Sequence, residues 1–377
     1  MDWSVFTTFS FGVLFFYVFA LALLVQLFFY LGVFSRLAFY KKKELPPATP
    51  PTSVVICARN EDDNLVEFLP RIFEQEYPEF EVVVVNDCSF DNTGDILKEF
   101  SMKYPNLKIV TIKEDDTYSH GKKIALMMGI KGAKYEHLLL TDADCRPSSK
   151  DWLMNMMQHF QGDTEIVLGY GAYEKQKGFL NKLIRFDTFM IALQFLSFAL
   201  ARKTYMGTGR NLAYKKSLFF KMKGFGSHYH IESGDDDLFV NEAATKQNSK
   251  VEVSIGSHTV SKVKRTFRDW FRQKRRHITT FRHYNGGSKF RLGMMSASLY
   301  LFYAAFIAAL VFQFQPIIVL SLFALRLFTQ IIIFNKSMKI LEEKDLLFFT
   351  PLIELTLLLV YPMITLSNMF VRKNKWR

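Results

Sequence analysis

The sequence predicts an α/β domain with a mostly parallel sheet, set between apolar segments that are long enough to cross a membrane. Three observations support this prediction. Between Ser53 and Thr141, short apolar runs typical of buried strands alternate with helical patterns. Long apolar stretches lie toward both ends of the 377-residue chain. Polar residues follow several predicted strands, at the edge where a parallel sheet binds its ligands.

The α/β pattern begins after a stiff, proline-rich linker, Leu45–Pro51. Strands and helices then alternate, which implies a parallel sheet with helices on both faces. The predicted strands are Ser53–Ala58, Glu81–Val85, Leu107–Ile112 and His137–Thr141, and the predicted helices are Leu65–Phe73, Asp91–Phe100 and Lys122–Lys131.

Four apolar stretches are candidate membrane spans, since about 20 apolar residues cross a bilayer. They are approximately Val5–Phe34, Leu292–Phe312, Pro316–Phe334 and Leu347–Phe370. We expect the first to be an uncleaved anchor, and the basic residues that follow it place the middle of the chain in the cytoplasm. We therefore predict an anchor (1–44), an α/β domain (45–290) and a C-terminal membrane region (291–377) in a multi-pass protein of the cytoplasmic membrane.

The number of spans conflicts with the charge at the end of the chain. Three C-terminal spans would carry the basic run Arg372–Arg377 outside, although its charge favours the cytoplasm. One stretch is therefore expected to be re-entrant or interfacial, and Pro351 and Pro362 make the last stretch a candidate. Arg326 must face protein or reach the interface, because a charge is costly in lipid. The apolar run Phe186–Leu200 is expected to be an interfacial helix, with a core helix as the alternative.

The net charge of +12 does not indicate nucleic-acid binding. The basic residues cluster beside apolar stretches, notably from Lys262 to Arg291, and no nucleic-acid-binding module is recognisable. We therefore expect a lipid bilayer, and not a nucleic acid, as the partner of this charge. The three cysteines, Cys57, Cys88 and Cys145, are widely spaced, which predicts reduced thiols rather than a thiolate metal site.

Two carboxylates, Asp142 and Asp144, directly follow the apolar run Leu138–Leu140. Two anions this close repel unless a cation lies between them. Hard oxygen ligands favour Mg²⁺ or Mn²⁺, and Mg²⁺ sites commonly include substrate phosphates. The pair therefore predicts a metal–diphosphate site, although an acidic turn at the end of a strand would explain the pair alone.

Two other polar groups follow predicted strands, Arg59–Glu61 and Asn86–Asp87. Because the carboxyl ends of parallel strands share one rim, these groups should lie beside Asp142 and Asp144. Arg59 can stack on a base or reach a phosphate. Ordinary loop polarity is the alternative, but three groups on one rim suit a nucleotide diphosphate.

Gly121 and Lys122 open the third predicted helix. They do not form a Walker loop, because the upstream glycine and the following Ser or Thr are missing. A lysine in the first turn can still approach an anion at the helix N-terminus, so Lys122 is a donor-binding candidate. A solvated first turn is the alternative.

Several segments, in order along the chain, resemble those of family 2 glycosyltransferases. They are Val55–Glu61, Gln75–Pro78, Val84–Thr93, Gly121–Leu126, the Asp142/Asp144 pair, Gly207–Tyr214, Gly234–Leu238 and Gln273–His277. The last segment resembles the Gln-x-x-Arg-Trp signature of membrane-bound members such as the cellulose and hyaluronan synthases. Each motif alone is modest, but the ordered set covers roughly Ser53 to His277 and is specific.

The resemblance implies a GT-A fold, a nucleotide-sugar donor, a divalent metal (Mn²⁺ or Mg²⁺) and inversion at the anomeric carbon. Matched motif by motif, Asp142 and Asp144 would hold the metal and the diphosphate. The base and ribose would contact Ala58, Arg59, Glu61 and Asp87.

On the acceptor side, the same match makes Asp235 the catalytic base, with Asp236 as the alternative. Gln273 and Arg276 would bind diphosphate near the membrane. His277 stands where the family has Trp, so the sugar-stacking wall of the synthases is not implied here. The smaller C-terminal membrane region does not support polymer synthesis coupled to export.

The sequence thus predicts an inverting glycosyltransferase at the cytoplasmic membrane face. It would transfer a sugar from a nucleotide-sugar, expected to be a UDP-sugar, to a saccharide or glycolipid acceptor. Two alternatives stay open: transfer to a polyprenyl-phosphate carrier, and a catalytically silent GT-A binding module.

Overall fold

The computed structural model describes residues 3–42, 44–113, 121–231 and 233–370. The basic run Arg372–Arg377 lies outside the described residues. The strands are β1 (Thr52–Ala58), β2 (Phe80–Asp87), β3 (Leu107–Ile112), β4 (His137–Asp142), β5 (Cys145–Pro147), β6 (Ile166–Leu168), β7 (Gly171–Tyr173), β8 (Leu212–Lys215), β9 (Ser249–Val251) and β10 (Thr259–Ser261).

Helices precede, separate and follow these strands. They are α1 (Trp3–Phe28), α2 (Ser35–Ala38), α3 (Asp62–Phe73), α4 (Thr93–Lys103), α5 (Lys122–Gly132), α6 (Trp152–Met157), α7 (Phe179–Leu200), α8 (Lys216–Lys221), α9 (Asp237–Ala243), α10 (Phe267–Ile278), α11 (Gly286–Val311), α12 (Pro316–Ile340) and α13 (Thr350–Phe370). A π-helical segment, Phe29–Phe34, joins α1 to α2, and 3₁₀ segments occupy Gly226–His228, Ile255–Ser257, Thr279–His283 and Lys344–Phe349.

In the part of the chain that the structure describes, the main sheet has seven strands in the order β3-β2-β1-β4-β8-β6-β9. The four predicted strands form its parallel half, and β8 runs antiparallel to β4. Strand β1 is almost continuously apolar and buried, because helices cover both faces of the sheet. Gly129 of α5 makes close packing possible, since a Cβ there would lie 2.8 Å from the side chains of Val55 and Val85. A smaller sheet has the order β5-β10-β7.

Within the described residues, five helical segments are long and apolar enough to cross a membrane, judged by length and composition. Helices α1, α11 and α12 share an apolar cluster that includes Phe19, Phe302 and Val319. Helix α11 already begins at Gly286, so the predicted boundary at residue 291 falls inside a helix.

Helix α7 differs from its prediction as an interfacial helix. Most of its side chains, among them Phe189 and Leu193, are buried in the large core that also contains Val55 and Leu140 of the sheet. The interfacial prediction was therefore wrong and the core alternative is the observed one. The apolar composition reflects burial between the sheet and the terminal helices.

Arg326 of α12 faces protein, as its cost in lipid requires. Its guanidinium is buried and donates to Glu354 of α13 at 2.7 Å, to Gln330 at 2.8 Å and to the Tyr30 hydroxyl at 3.1 Å. Hydrogen bonds and a carboxylate thus compensate the charge inside the helical region.

Candidate active site

The loops after β1 and β2 lock together at the carboxyl edge of the sheet. Asn60 and Cys88 adopt left-handed backbone conformations, with φ of 54° and 51°. The Asn60 N–H donates to Ser89 Oγ at 3.0 Å, and the Phe90 N–H donates to Asn60 Oδ1 at 2.8 Å. This pairing fixes the backbone on either side of Asn60, where two of the predicted donor-binding side chains lie.

The four predicted base- and ribose-binding residues lie at this edge with different exposure. Ala58 and Asp87 are buried, whereas Arg59 and Glu61 are half-buried. Because the Ala58 methyl group belongs to the core, a contact with a ligand would use its backbone. Burial raises the pKa of Glu61; the hydrogen bond from Asn64 opposes this rise, and the charges of Asp144 and Asp142 add to it. Glu61 therefore lies within electrostatic reach of the acidic pair.

Lys122 connects the two sides of the site. Its Nζ lies 2.8 Å from Asp142 Oδ1 and 3.2 Å from Asp235 Oδ2. Burial would lower the pKa of Lys122, but Asp142 and Asp235 raise it well above its ordinary value, so the ammonium stays charged. Gly209 and Asp236 line the same narrow cleft.

Asp142 and Asp144 can share a cation. Potential ligand atoms of these residues and of Cys145 lie within 4.8 Å of one another. Burial and then the charge of Asp142 raise the pKa of Asp144, which is the repulsion that a divalent cation would relieve. The Cys145 thiol is buried 2.8 Å from Ser261 Oγ, and burial raises its pKa well above the ordinary value. The two carboxylates therefore fit Mg²⁺ or Mn²⁺, while the neutral thiol does not contribute a hard ligand.

Arg210 is a residue of the site that the sequence prediction did not include. Its carbonyl accepts from Thr141 Oγ1 at 3.1 Å, and its guanidinium lies 4.3 Å from the centre of the Tyr173 ring. Burial would lower the pKa of Arg210, but Tyr173, Cys145, Asp142 and Asp144 raise it overall. A permanent cation thus lies near the acidic pair.

The topology explains why Arg210 was missed. It precedes β8, and the rule that points to residues after strands does not consider residues before them. Because β8 is antiparallel to β4, with Leu212 opposite Leu140, the start of β8 lies at the same edge as the end of β4. An antiparallel assignment of this segment would have been the signal.

Three consecutive carboxylates follow Gly234, the third of which opens α9, and each has a different environment. Asp235 is buried beside Lys122; burial would raise its pKa, but the Lys122 charge and hydrogen bond lower it overall. Asp236 accepts the backbone N–H groups of Gly209 and Asp237, both at 2.7 Å. Burial and the charges of Asp235 and Asp237 raise the pKa of Asp236 to about 7.

Asp237 has a structural environment. It accepts hydrogen bonds from Thr280 Oγ1 at 2.5 Å and from the Tyr284 hydroxyl at 2.8 Å, which joins α9 to the segment after α10. Gly234 is required before this acidic run: its φ is 98°, and a Cβ would lie 2.4 Å from Leu238 Cδ1.

Lys123 holds the loop that leads to Asp235, a role that the sequence did not reveal. Its buried Nζ donates to the carbonyls of His228 and Ile231 at 2.7 and 2.9 Å. Burial lowers the pKa of Lys123 to about 8, although the charges of neighbouring acids, first Asp235, act to raise it. Adjacent lysines therefore face different parts of the site.

Helix α10 carries the last predicted residues, of which Gln273 contacts Tyr173. Gln273 Nε2 donates to the Tyr173 hydroxyl at 3.4 Å, and Arg276 follows at i+3, on the same side of the helix. His277 is accessible to solvent, yet the surrounding protein and then the charges of Arg276, Lys274, Lys122 and Arg210 lower its pKa well below the ordinary value. A neutral imidazole therefore stands at the position of the family's Trp.

The profile of the family described as Glycosyl transferase family 2 matches residues 53–222, which contain the rim, Lys122, the acidic pair and Arg210. Residues 53–222 therefore match a family 2 glycosyltransferase domain. This agrees with the ordered motifs and with the predicted α/β class.

Relatives with named activities match parts of this chain. A poly-β-1,6-N-acetyl-D-glucosamine synthase of Staphylococcus epidermidis is 36% identical over 92 residues, 24% of this chain and 21% of that protein. A probable glycosyltransferase of Bacillus subtilis is 30% identical over 190 residues, which are 48% of this chain and 44% of that protein. A β-monoglucosyldiacylglycerol synthase of Nostoc is 29% identical over 158 residues, which are 41% of this chain and 32% of that protein. The chain therefore matches less than half the length of each of these relatives.

The fold of this chain has a solved counterpart. A mannosyltransferase of Pyrobaculum calidifontis, in complex with GDP-mannose and Mn²⁺, aligns with a TM-score of 0.61 at 18% identity, over 96% of this chain and 100% of the other. The likeness confirms the predicted GT-A fold.

Proposed function

We propose that the protein is an inverting glycosyltransferase that transfers a sugar from a nucleotide-sugar to an acceptor at the cytoplasmic membrane face. The supporting observation is the position of the Lys122 ammonium between Asp142 and Asp235, at 2.8 and 3.2 Å. One charged group in contact with both carboxylates brings the candidate leaving-group site and the candidate base to adjacent positions. An inverting displacement needs this adjacency, because base and leaving group act in the same step.

On the donor side, Asp142 and Asp144 would hold Mn²⁺ or Mg²⁺ and, through it, the diphosphate. A divalent ion bound there would stabilise the negative charge of the leaving nucleoside diphosphate. Lys122 and Arg210 would add positive charge around the same phosphates, and Arg210 can bind phosphate oxygens in bidentate geometry. The base and ribose would contact the side chains of Arg59, Glu61 and Asp87 and the backbone of Ala58. The diphosphate would also bind Gln273 and Arg276.

On the acceptor side, Asp235 would take the proton of the acceptor hydroxyl. The acceptor oxygen then forms its bond to the anomeric carbon as the bond from that carbon to the diphosphate oxygen breaks. Asp236 is the less suitable base, because both its oxygens already accept backbone N–H groups. It would instead hold the acceptor loop against Gly209.

The experiment is nucleotide release by the purified protein in lipid, with and without Mn²⁺, for the wild type, Asp235→Asn and Asp236→Asn. We expect EDTA to abolish release and added Mn²⁺ or Mg²⁺ to restore it. Asp235→Asn should bind donor normally but lose transfer by about a thousandfold, the scale of a lost general base. Asp236→Asn should retain more activity. Full transfer by Asp235→Asn, or activity that survives metal removal, would contradict the proposal.

The acceptor is proposed to be a saccharide or glycolipid, in line with the names of the relatives, and the donor is proposed to be a UDP-sugar. Parallel assays with UDP- and GDP-sugars test the donor. A polyprenyl-phosphate acceptor would need little deprotonation, so only a mild effect of Asp235→Asn on transfer to such a carrier would favour that alternative. Donor binding without turnover on any acceptor would favour the silent binding module.

A further inference from the structure

The last long helix, α13, is tied to the rest of the protein near both of its ends. Just before it, Arg185 of α7 donates to Glu343 Oε2 at 2.9 Å and to Asp345 Oδ2 at 2.8 Å. Near its end, Asn368 accepts from Arg275 Nε of α10 at 3.1 Å and donates to the Arg275 carbonyl at 3.1 Å.

Contacts continue between these two points. Tyr361 donates to Asp187 of α7, and Asp187 also pairs with Lys274 of α10. Glu354 accepts from the Tyr303 hydroxyl at 2.8 Å and from Arg326 at 2.7 Å. Helices α7, α10, α11 and α12 therefore all contact α13 through side chains at positions 354, 361 and 368.

The length of α13 makes these contacts informative. Its 21 residues extend about 31 Å at 1.5 Å per residue, which is the thickness of the hydrocarbon core of a bilayer. A helix of this length that crossed the bilayer would place its ends on opposite sides. Yet the partners of both ends, α7 and α10, contribute side chains such as Phe186 and Trp270 to the same core as the sheet residues Val55 and Leu140.

We infer that α13 does not cross the membrane, but lies along the cytoplasmic leaflet as an in-plane helix. The membrane spans are then α1, α11 and α12. This arrangement resolves the conflict between span number and terminal charge. Three spans leave the family 2 domain and the basic run Arg372–Arg377 on the same side, as the positive-inside rule favours.

The exposed surface of α13 fits one lipid leaflet. An apolar stripe at helical spacing faces outward, formed by Leu352, Leu355, Leu359, Met363 and Leu366. The opposite side, with Ile353, Leu357 and Ile364, is buried in the core. Acyl chains of the leaflet would cover the stripe, continuous with the lipid around α12. Exposed arginines of the adjacent α10, such as Arg268 and Arg272, suit anionic headgroups.

A depth profile tests the inference on the full chain in vesicles of anionic phospholipid. Single cysteines at Leu352, Leu359 and Leu366 carry a nitroxide, and its collisions with oxygen and with a water-soluble nickel chelate report depth. The matched control is α12, with exposed positions at the same seven-residue spacing: Ile318, Leu325 and Ile332. Background labelling of the native cysteines is measured on the unsubstituted chain and subtracted.

We expect the three α13 positions to share one shallow depth, whereas Leu325 is deeper than Ile318 and Ile332. A deep Leu359 between two shallow positions would show that α13 spans the bilayer and would overturn the inference. Nickel accessibility at all three α13 positions, as in water, would also overturn it, because the stripe would then not contact lipid.

Sidedness provides a second measurement. A membrane-impermeant maleimide is applied to intact cells that carry Ser101→Cys in α4, Gln313→Cys between α11 and α12, or Lys375→Cys. We expect Gln313→Cys to react from outside, and Lys375→Cys to be protected with Ser101→Cys until the membrane is opened. Reaction of Lys375→Cys from outside would overturn the inference. Neither measurement requires sugar transfer, so both are independent of the proposed function.

Discussion

Lys122 Nζ lies 2.8 Å from Asp142 Oδ1, and this contact joins the first turn of α5 to the end of β4. The lysine is the first residue of its helix, so its side chain extends toward the carboxyl edge of the sheet. The same ammonium also contacts Asp235, which lies 93 residues beyond Asp142 in the sequence. One side chain thereby couples the two carboxylates to which we assign donor binding and proton transfer.

Replacement of Lys122 should affect both halves of the site. In Lys122→Gln, Asp142 and Asp235 lose a shared countercharge and the leaving diphosphate loses a cation. We expect kcat/KM for nucleotide release to fall by about a hundredfold or more, the scale of one lost electrostatic contact to a leaving group. Steady-state kinetics and donor titration measure the two effects.

The matched control is Lys131→Gln, an exposed lysine in the last turn of the same helix. It removes an equal charge from α5 without a contact to either carboxylate, so its kcat/KM should stay within about twofold of the wild type. Equal losses in the two variants would assign the effect to the helix and not to the site.

The strand ends were predictable from sequence because local patterns determine them. Apolar runs of strand length are followed directly by polar residues at Arg59, Asp87 and Asp142, and parallel topology then places these on one rim. The carboxylates at 142 and 144 were predictable for the same reason. Their distance to Asp235 was not, because it depends on where an acceptor loop folds back onto the sheet.

Long-range pairs account for what the sequence did not show. The apolar run of α7 was predicted to be an interfacial helix, whereas its Asp187 has the protein partners Lys274 and Tyr361. Periodicity describes which side of a helix is apolar, but it does not reveal whether lipid or protein covers that side. Arg210 was missed because its place on the rim requires the antiparallel pairing of β8.

Arg210 should require a planar guanidinium and not only a positive charge. Its position 4.3 Å from the centre of the Tyr173 ring suits stacking, which a lysine ammonium does not reproduce. We expect Arg210→Lys to weaken donor binding by about tenfold, measured by calorimetric titration in the presence of Mn²⁺. Arg202→Lys, at an exposed position after α7, is the control and should bind donor as the wild type does. Undiminished affinity in Arg210→Lys would exclude a role for the planar group.

The contact between Glu252 and His159 should make the free energy of unfolding depend on pH in the acid range. Their side chains meet at 2.7 Å. Burial would raise the pKa of Glu252, but hydrogen bonds from His159 and Ser254 lower it to about 2, from an ordinary value of 4.5. Because the folded-state pKa is the lower one, the stabilisation is complete above pH 4.5 and is lost as pH falls from 4.5 toward 2.

Glu252→Gln should therefore reduce the free energy of unfolding at neutral pH by up to about 3 kcal/mol, and by progressively less as the pH falls through this range. Thermal unfolding of wild type and variant at a series of pH values measures the difference. Glu99→Gln, an exposed carboxylate in α4, should show no such convergence. A difference that is constant with pH would contradict the assignment to ionised Glu252.

The buried pair of Arg326 and Glu354 should behave as a unit in the helical region. The Arg326 guanidinium is 1% exposed and lies 2.7 Å from Glu354, so a variant that removes one partner leaves the other charge buried without compensation. Arg326→Met and Glu354→Gln should each lower the free energy of unfolding in mixed micelles by about 3–5 kcal/mol. The double variant should lose clearly less free energy of unfolding than the sum of the two single variants, because no uncompensated charge remains.

Ser321→Ala, at an exposed position of α12, controls for the helix itself. Strict additivity of the two single losses would mean that the two side chains stabilise the helices independently, despite their contact.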